Sequence, residues 1–158
     1  MKLFEFEGKN VLKSFGIRVP EGHVARSAAD ARDFYGQIGP EVAGKAQIPI
    51  GGRMKAGGVR FAGDECEASS AVNDLLGAKI RGFDVECVLL EKRTTFAREY
   101  YAGITYDQGA KLPVVVVSAE GGIDVEQASS VSSIHWDLRA PLADYRCREL
   151  LLPFNLNG

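Results

Sequence analysis

A chain of 158 residues, 46% hydrophobic and 25% charged, has the make-up of a soluble globular protein with room for one ordinary domain or two small lobes. Its formal net charge of −2 excludes a protein whose main business is coating nucleic acid, so an anion site has to come from local arrangement. The longest apolar stretch, Leu112 to Val117, is too short to cross a bilayer, and Glu5 stands where a signal peptide needs its apolar segment. These features predict a cytosolic, cytoplasmic protein with no membrane and no nucleic-acid partner. Cys66, Cys87 and Cys147 are odd in number, far apart and without C-x-x-C spacing. With only His23 and His135 beside them, neither a disulfide frame nor a zinc site is indicated, and reduced, partly buried thiols are expected.

Leu3, Phe4, Val11, Leu12 and Phe15 recur at helical spacing, with Gly16 as the stop. Pro20 marks an extended entry to the next unit. Ser27 with Asp30 reads as a capping box opening a helix to about Ile38, which Gly39-Pro40 ends. Residues 41–48 alternate as a strand with Lys45 and Gln47 on one face. Gly58 to Ala62 reads as a return strand, and Asp64 with Glu67 caps a helix to Leu76 that Gly77 closes. Residues 85–91 form an apolar strand ending in Glu91. Arg98 to Asp107, a turn at Gln108-Gly109-Ala110, and the β-prone Pro113 to Ser118 make a hairpin. Residues 123–131 stay open, Ile134 to Leu138 is a candidate strand, and Ala143 to Leu152 a final helix. A hairpin among alternating strands and helices fits a mixed α+β arrangement better than a parallel sheet.

The stretch from Lys45 to Val59 carries the chemistry. An apolar strand holding a lysine runs into a loop with two Gly-Gly pairs around Arg53 and Lys55. Glycines let backbone N–H groups approach phosphates closely, while Arg offers a planar fork and Lys a point charge. Lys45, Arg53, Lys55 and Arg60 form a candidate cationic cluster in this stretch. The loop is neither a P-loop, which needs G-x-x-x-x-G-K-[ST], nor a G-x-G-x-x-G turn. The competing reading is a glycine-rich hairpin with solvated cations, in which Lys45, Glu91 and Glu99 are ordinary surface charges.

Five motifs then align with one family. Phe4-Glu5-Phe6-Glu7-Gly8-Lys9 through Phe15-Gly16-Ile17-Arg18-Val19-Pro20, and Gly51-Gly52-Arg53-Met54-Lys55-Ala56-Gly57-Gly58-Val59, resemble the opening helix and nucleotide loop of the succinyl-CoA synthetase β-subunit. Val88-Leu89-Leu90-Glu91, Ala97-Arg98-Glu99-Tyr100-Tyr101-Ala102-Gly103, and Ser118-Ala119-Glu120-Gly121-Gly122-Ile123-Asp124-Val125-Glu126 with Arg148-Glu149-Leu150 continue the match in order. The resemblance implies an ATP-grasp fold, two α+β lobes around a nucleotide cleft and C-terminally incomplete here. The smaller lobe would be about 20–94, and the larger 1–19 plus 95–158. By position, Lys45 would hold nucleotide phosphates, and Gly52, Arg53 and Met54 would line the phosphate loop. Glu91 and the adjacent backbone would recognise purine and ribose, and Thr94 and Glu99 match further nucleotide-side positions.

It further implies ATP or GTP with Mg2+, the metal ligands lying outside this chain. The implied partners are the rest of the β-subunit and an α-subunit carrying the CoA site and the phosphohistidine. His135 is therefore read as structural. The whole enzyme would join an acid, most simply succinate, to CoA through phosphohistidine and acyl phosphate. Malate–CoA ligases and ATP-citrate lyase are the related alternatives, and a degenerate non-catalytic ATP-grasp module is the reading from another class. Without metal ligands or an acceptor, the chain alone is predicted to turn nothing over.

Three residues depart from the family pattern. Met54 replaces a loop glycine, and Pro49-Ile50 replaces a small or polar pair. A side chain at a position needing φ > 0 costs roughly 1 kcal/mol or more. Met54→Gly is therefore expected to leave nucleotide affinity unchanged or tighten it, by calorimetry; loss of binding on that substitution would contradict the loop assignment.

Overall fold

In the computed structural model, which describes residues 2–121 and 130–155, four short strands pair antiparallel around two continuous apolar runs. They are β1 (Gly22–Ala25), β2 (Val42–Ala46), β3 (Val59–Ala62) and β6 (Val88–Lys92), in the order β1-β6-β2-β3. Helices α2 (Ala28–Ile38) and α3 (Glu65–Leu75) cover one face. Their Ala31, Ile38, Ala68, Val72 and Leu75 meet Ala25, Val42, Ala46, Ala62, Val88 and Leu90 from the strands. So many alanines let helix and sheet approach closely, and the larger aliphatic side chains fill the space between at crystal-like density.

Local chemistry sets both helix starts. Ser27 Oγ accepts from the Asp30 amide at 3.1 Å, and the Asp30 carboxylate accepts from the Ser27 amide at 3.1 Å, the reciprocal box expected there. Asp64 Oδ1 accepts from the Glu67 amide at 2.7 Å. Helix α1 (Glu5–Ser14) lies where the apolar spacing put it, and its first turn is braced by Glu7 accepting from the Phe4 amide at 2.8 Å.

Between α3 and β6 the chain makes a small hairpin absent from the expectations, β4 (Lys79–Ile80) with β5 (Phe83–Asp84). Its tip is Arg81-Gly82, both at positive φ (49° and 89°), the conformation of a two-residue hairpin turn. The apolar run from 85 enters the sheet only at Val88, although Val85 and Cys87 are already buried.

A second compact unit begins after Thr95. Strands β7 (Tyr101–Asp107), β8 (Leu112–Ser118) and β9 (Val131–His135) form an antiparallel sheet in that order. Helix α4 (Asp144–Leu151), followed by a 3-10 turn at Leu152–Phe154, packs Leu150 and Phe154 onto Val117, with Val115 and Ile134 beside them. The Asp107 carboxylate binds the turn amides of Gly109 and Ala110 (2.8 and 3.1 Å) and His135 Nε2 at 2.8 Å. Strand β9 stops at His135 rather than Leu138. Asp137 there accepts from the Arg139 amide at 3.0 Å, and Trp136 Nε1 donates to the Ala140 carbonyl at 2.8 Å, so the chain turns. Residues 123–129 of the stretch left open, and with them Gly122 to Glu126 of the Ser118–Glu126 motif, lie outside the described residues.

Leu90 is fully buried between the sheet and both helices. Leu90→Ala is expected to destabilise this unit by about 3 kcal/mol, read by urea denaturation followed by far-UV circular dichroism.

Candidate functional site

Strand register builds the site. In the β2–β6 pair, Lys45 stands opposite Leu89 and Ala43 opposite Glu91. Lys45 and Glu91 are thus diagonal neighbours on the face turned away from α2 and α3, close enough for long side chains to meet. Glu91 is only 3% exposed. Residue 22, opposite it on β1, has to be glycine, because a Cβ there would lie 2.6 Å from the Glu91 Cβ.

Helix α1 lies over this face. Gln47, 2% exposed, accepts from the Phe6 amide at 3.2 Å and donates to the Lys45 carbonyl at 2.8 Å, tying the helix start to the strand. Glu5 and Lys9, one turn apart and 2.7 Å from each other, then reach the sheet. The Lys9 ammonium donates to Glu91 Oε2 and the Lys45 ammonium to Glu91 Oε1. Lys45 also donates to Glu5 Oε1 at 3.2 Å. Arg53 gives one guanidinium nitrogen to Glu5 Oε2 and the other to the Ala46 carbonyl at 3.0 Å. Three cations share two carboxylates, leaving one positive charge over.

The titration behaviour agrees with that geometry. Burial pushes the Glu5 carboxyl up, but the Lys9 hydrogen bond and the charges of Lys45, Lys9 and Arg53 outweigh it and hold the pKa at about 2, against 4.5 ordinarily. Burial also works against the Lys45 ammonium; its hydrogen bond to Glu91 and the charges of Glu5 and Glu91 prevail and raise it above the usual lysine value.

The glycine loop curls beside these cations. Gly58 donates to the Arg53 carbonyl at 2.7 Å and Gly57 to the Met54 carbonyl at 3.1 Å. The amides of Arg53 and Met54 make no hydrogen bond among the described residues, which suits a stretch of backbone facing an anion. Gly52 takes the left-handed conformation (φ 66°), whereas Met54 has a negative φ and a 61% exposed side chain. The strain considered for Met54 is therefore absent; the glycine two residues earlier makes the turn. An open cavity of about 390 Å³ beside the loop is lined by Lys2, Leu3, Glu5, Pro49, Ile50 and Arg53, among others.

The expected residues divide clearly. Lys45 and Arg53 are joined through Glu5, and Glu91 takes Lys45 directly, with Gly52 and Met54 in the adjoining loop. Thr94 is exposed beyond the end of β6, and Glu99 belongs to the second unit, where its carbonyl accepts from the Gly121 amide at 3.2 Å. Arg60 does not join the cluster. It pairs with Gly44, on the helix-covered side of the sheet, and its guanidinium donates to the Gly57 and Val59 carbonyls at 2.8 and 3.2 Å. Glu5, Lys9 and Gln47 are additions that the sequence reading missed. So is Arg81, whose guanidinium nitrogens lie 3.8 Å from where a Cβ on Gly52 would stand. The Glu5–Lys9 spacing was a readable helix-surface pair; its docking onto β2 and β6 was not.

Chemically, the arrangement presents ordered cations, and two amides unpaired among the described residues, to a polyanion. Among the described residues, no group of three or more His, Cys, Asp and Glu is placed to hold a metal ion, and no helix is long and apolar enough to cross a membrane.

Because the folded pKa of Glu5 lies below its ordinary value, the unfolded chain binds more protons between about pH 4.5 and 2. Its contribution is present above that window and is lost as pH falls through it. Thermal melts of the wild type and Glu5→Gln are expected to differ most near neutrality and to converge as pH falls from about 4.5 towards 2; a difference constant down to the lower limit would contradict the depressed carboxyl.

The ATP-grasp domain model matches residues 2–158. The chain is 36% identical to the succinate–CoA ligase [ADP-forming] β-subunit of Methanocaldococcus jannaschii, over 100% of this chain and 45% of that one. It is 38% identical to β-subunit 1 of the same enzyme from Archaeoglobus fulgidus, over 100% and 43%. It therefore spans under half the length of these relatives. Among solved structures, the dinucleotide forming acetyl-coenzyme A synthetase 1 of Ca. Korarchaeum cryptofilum, in complex with coenzyme A, Ca-AMPCP and HgCl+, superposes with a TM-score of 0.79 at 25% identity. That match covers 96% of this chain and 66% of the other. With an α+β fold and a cation-lined glycine loop that accord with a match along nearly its whole length, the chain belongs to the ATP-grasp family.

Proposed function

We propose that this chain is the nucleotide-holding N-terminal part of an ATP-grasp acid–CoA ligase β-subunit, with succinate the simplest acid. One observation carries the reading: Lys45 and Arg53 are held side by side through Glu5, next to a loop whose Arg53 and Met54 amides make no hydrogen bond among the described residues. Similarity to succinate–CoA ligase β-subunits along the whole chain supports it. Their ADP-forming designation favours ATP over GTP.

In this reading the chain's own residues place the phosphates. Lys45 and Arg53 hold the phosphate oxygens, and the Gly52-Arg53-Met54 backbone cradles them. Glu91, both of whose oxygens already accept ammonium donors, acts mainly by holding Lys45. The backbone at the end of β6 would serve the purine and ribose side, with Thr94 a further nucleotide-side position of the first unit and Glu99 one of the second. We divide the chain into a smaller lobe of about residues 20–94 and a larger lobe of 1–19 plus 95–158; the unit boundary after Thr95 supports the second of these limits, while residues 1–19 cluster with the first unit. No group of three or more metal-ligating side chains is gathered among the described residues, and the magnesium ligands would come from the rest of a longer β-subunit. An α-subunit would supply the CoA site and the phosphohistidine.

Isothermal titration with Mg-ATP tests this directly. Binding in the millimolar range or tighter is expected for the wild type, lost in Lys45→Ala and weaker for Mg-GTP. Absence of heat under all conditions would leave a non-catalytic structural module as the better reading.

A further inference from the structure

We propose that Glu5 is a positioning residue for the nucleotide phosphates: one carboxylate on α1 sets where the Lys45 ammonium and the Arg53 guanidinium stand. The proposal rests on the nucleotide reading above and goes beyond it, since the residue comes from a different element and touches no phosphate itself.

The geometry is that of a spacer. Oε1 takes Lys45 and Lys9, Oε2 takes Arg53, and the planar carboxylate between them fixes the distance separating the two phosphate-binding cations. Its own placement is fixed twice over. The amide of the next residue, Phe6, is anchored on Gln47, and Lys9 one turn along is anchored on Glu91. Glu5 is therefore carried on a tethered helix.

An alternative role would be a stand-in anion that phosphate must displace. Counting donors argues against it. Lys45 has three N–H groups and spends two on Glu5 and Glu91; Arg53 has five and spends one on Glu5 and one on Ala46. Among the described residues, one donor on Lys45 and three on Arg53 remain for phosphate while Glu5 stays in place. Removing Glu5 would leave Lys9, Lys45 and Arg53 with Glu91 as their single carboxylate, so Lys45 and Arg53 would repel each other and lose their ordering. Binding would then have to supply that ordering.

The test compares wild type, Glu5→Gln and Glu5→Ala in the 158-residue chain. Mg-ATP affinity is measured by calorimetry and adenosine binding by NMR titration, with far-UV circular dichroism as the check on folding. Glu5→Gln keeps the side-chain shape and safeguards the comparison if Glu5→Ala unfolds. Mg-ATP is expected to bind about tenfold more weakly to Glu5→Gln, the scale of one lost charge-assisted contact, while adenosine binding is unchanged. Equal or tighter Mg-ATP binding by Glu5→Gln overturns the proposal and makes Glu5 a competing anion. A parallel loss of adenosine affinity also overturns it, because the residue would then support the fold in general. A wild type that binds neither ligand overturns the nucleotide reading itself, a result distinct from both.

Discussion

The charged face depends on the antiparallel register of β2 against β6. With Lys45 opposite Leu89 and Glu91 opposite Ala43, a lysine and a glutamate from separate runs become diagonal neighbours on one side of the sheet. A slip of one residue would send Lys45 into the alanine-rich interior and expose Leu90 or Val88 instead. The apolar core under α2 and α3 therefore does more than stabilise this unit. By penalising any other register, it fixes which way the two charges face.

Those charges are held in turn by residues remote in the chain. Glu5 lies 40 residues from Lys45, and Lys9 lies 82 from Glu91. Partly buried ion pairs of this kind contribute little net stability, since desolvation offsets much of their attraction. Their value here is orientation. Two carboxylates shared among three cations fix each cation's direction and leave it attractive to an incoming anion, which a fully neutralised set would not do.

Much of this was legible locally. The Ser27–Asp30 box and the Asp64 cap depend on contacts three residues apart, and the lysine-bearing strand showed in the alternation of its own run, although its partner β6 lies more than 40 residues on; the positions of all three matched the expected ones closely. The hairpin at 79–84 escaped because two residues per strand are too few for any period to show. The end of β9 was misplaced because the Asp137 turn competes with strand formation over the same residues. Arg60 was grouped with Lys45 by nearness in sequence, although alternation along Val59–Ala62 already puts it on the side of Ala62. The loop glycines are not interchangeable: Gly52 and Gly57 take the left-handed conformation (φ 66° and 78°), and Met54, standing between them, does not. The Glu5–Lys9 network was hidden for a different reason. Nothing in a helix's own sequence says which sheet its charged stripe will meet.

The lone tryptophan, Trp136, sits in the second unit beside β9, its indole nitrogen bound to the Ala140 carbonyl, while the cation cluster lies in the first. Intrinsic fluorescence excited at the indole band consequently observes a different part of the molecule from the one that carries the charged face. An unfolding curve recorded that way tracks the β7–β8–β9 sheet, and its disagreement with a backbone signal would measure how far the two parts melt independently.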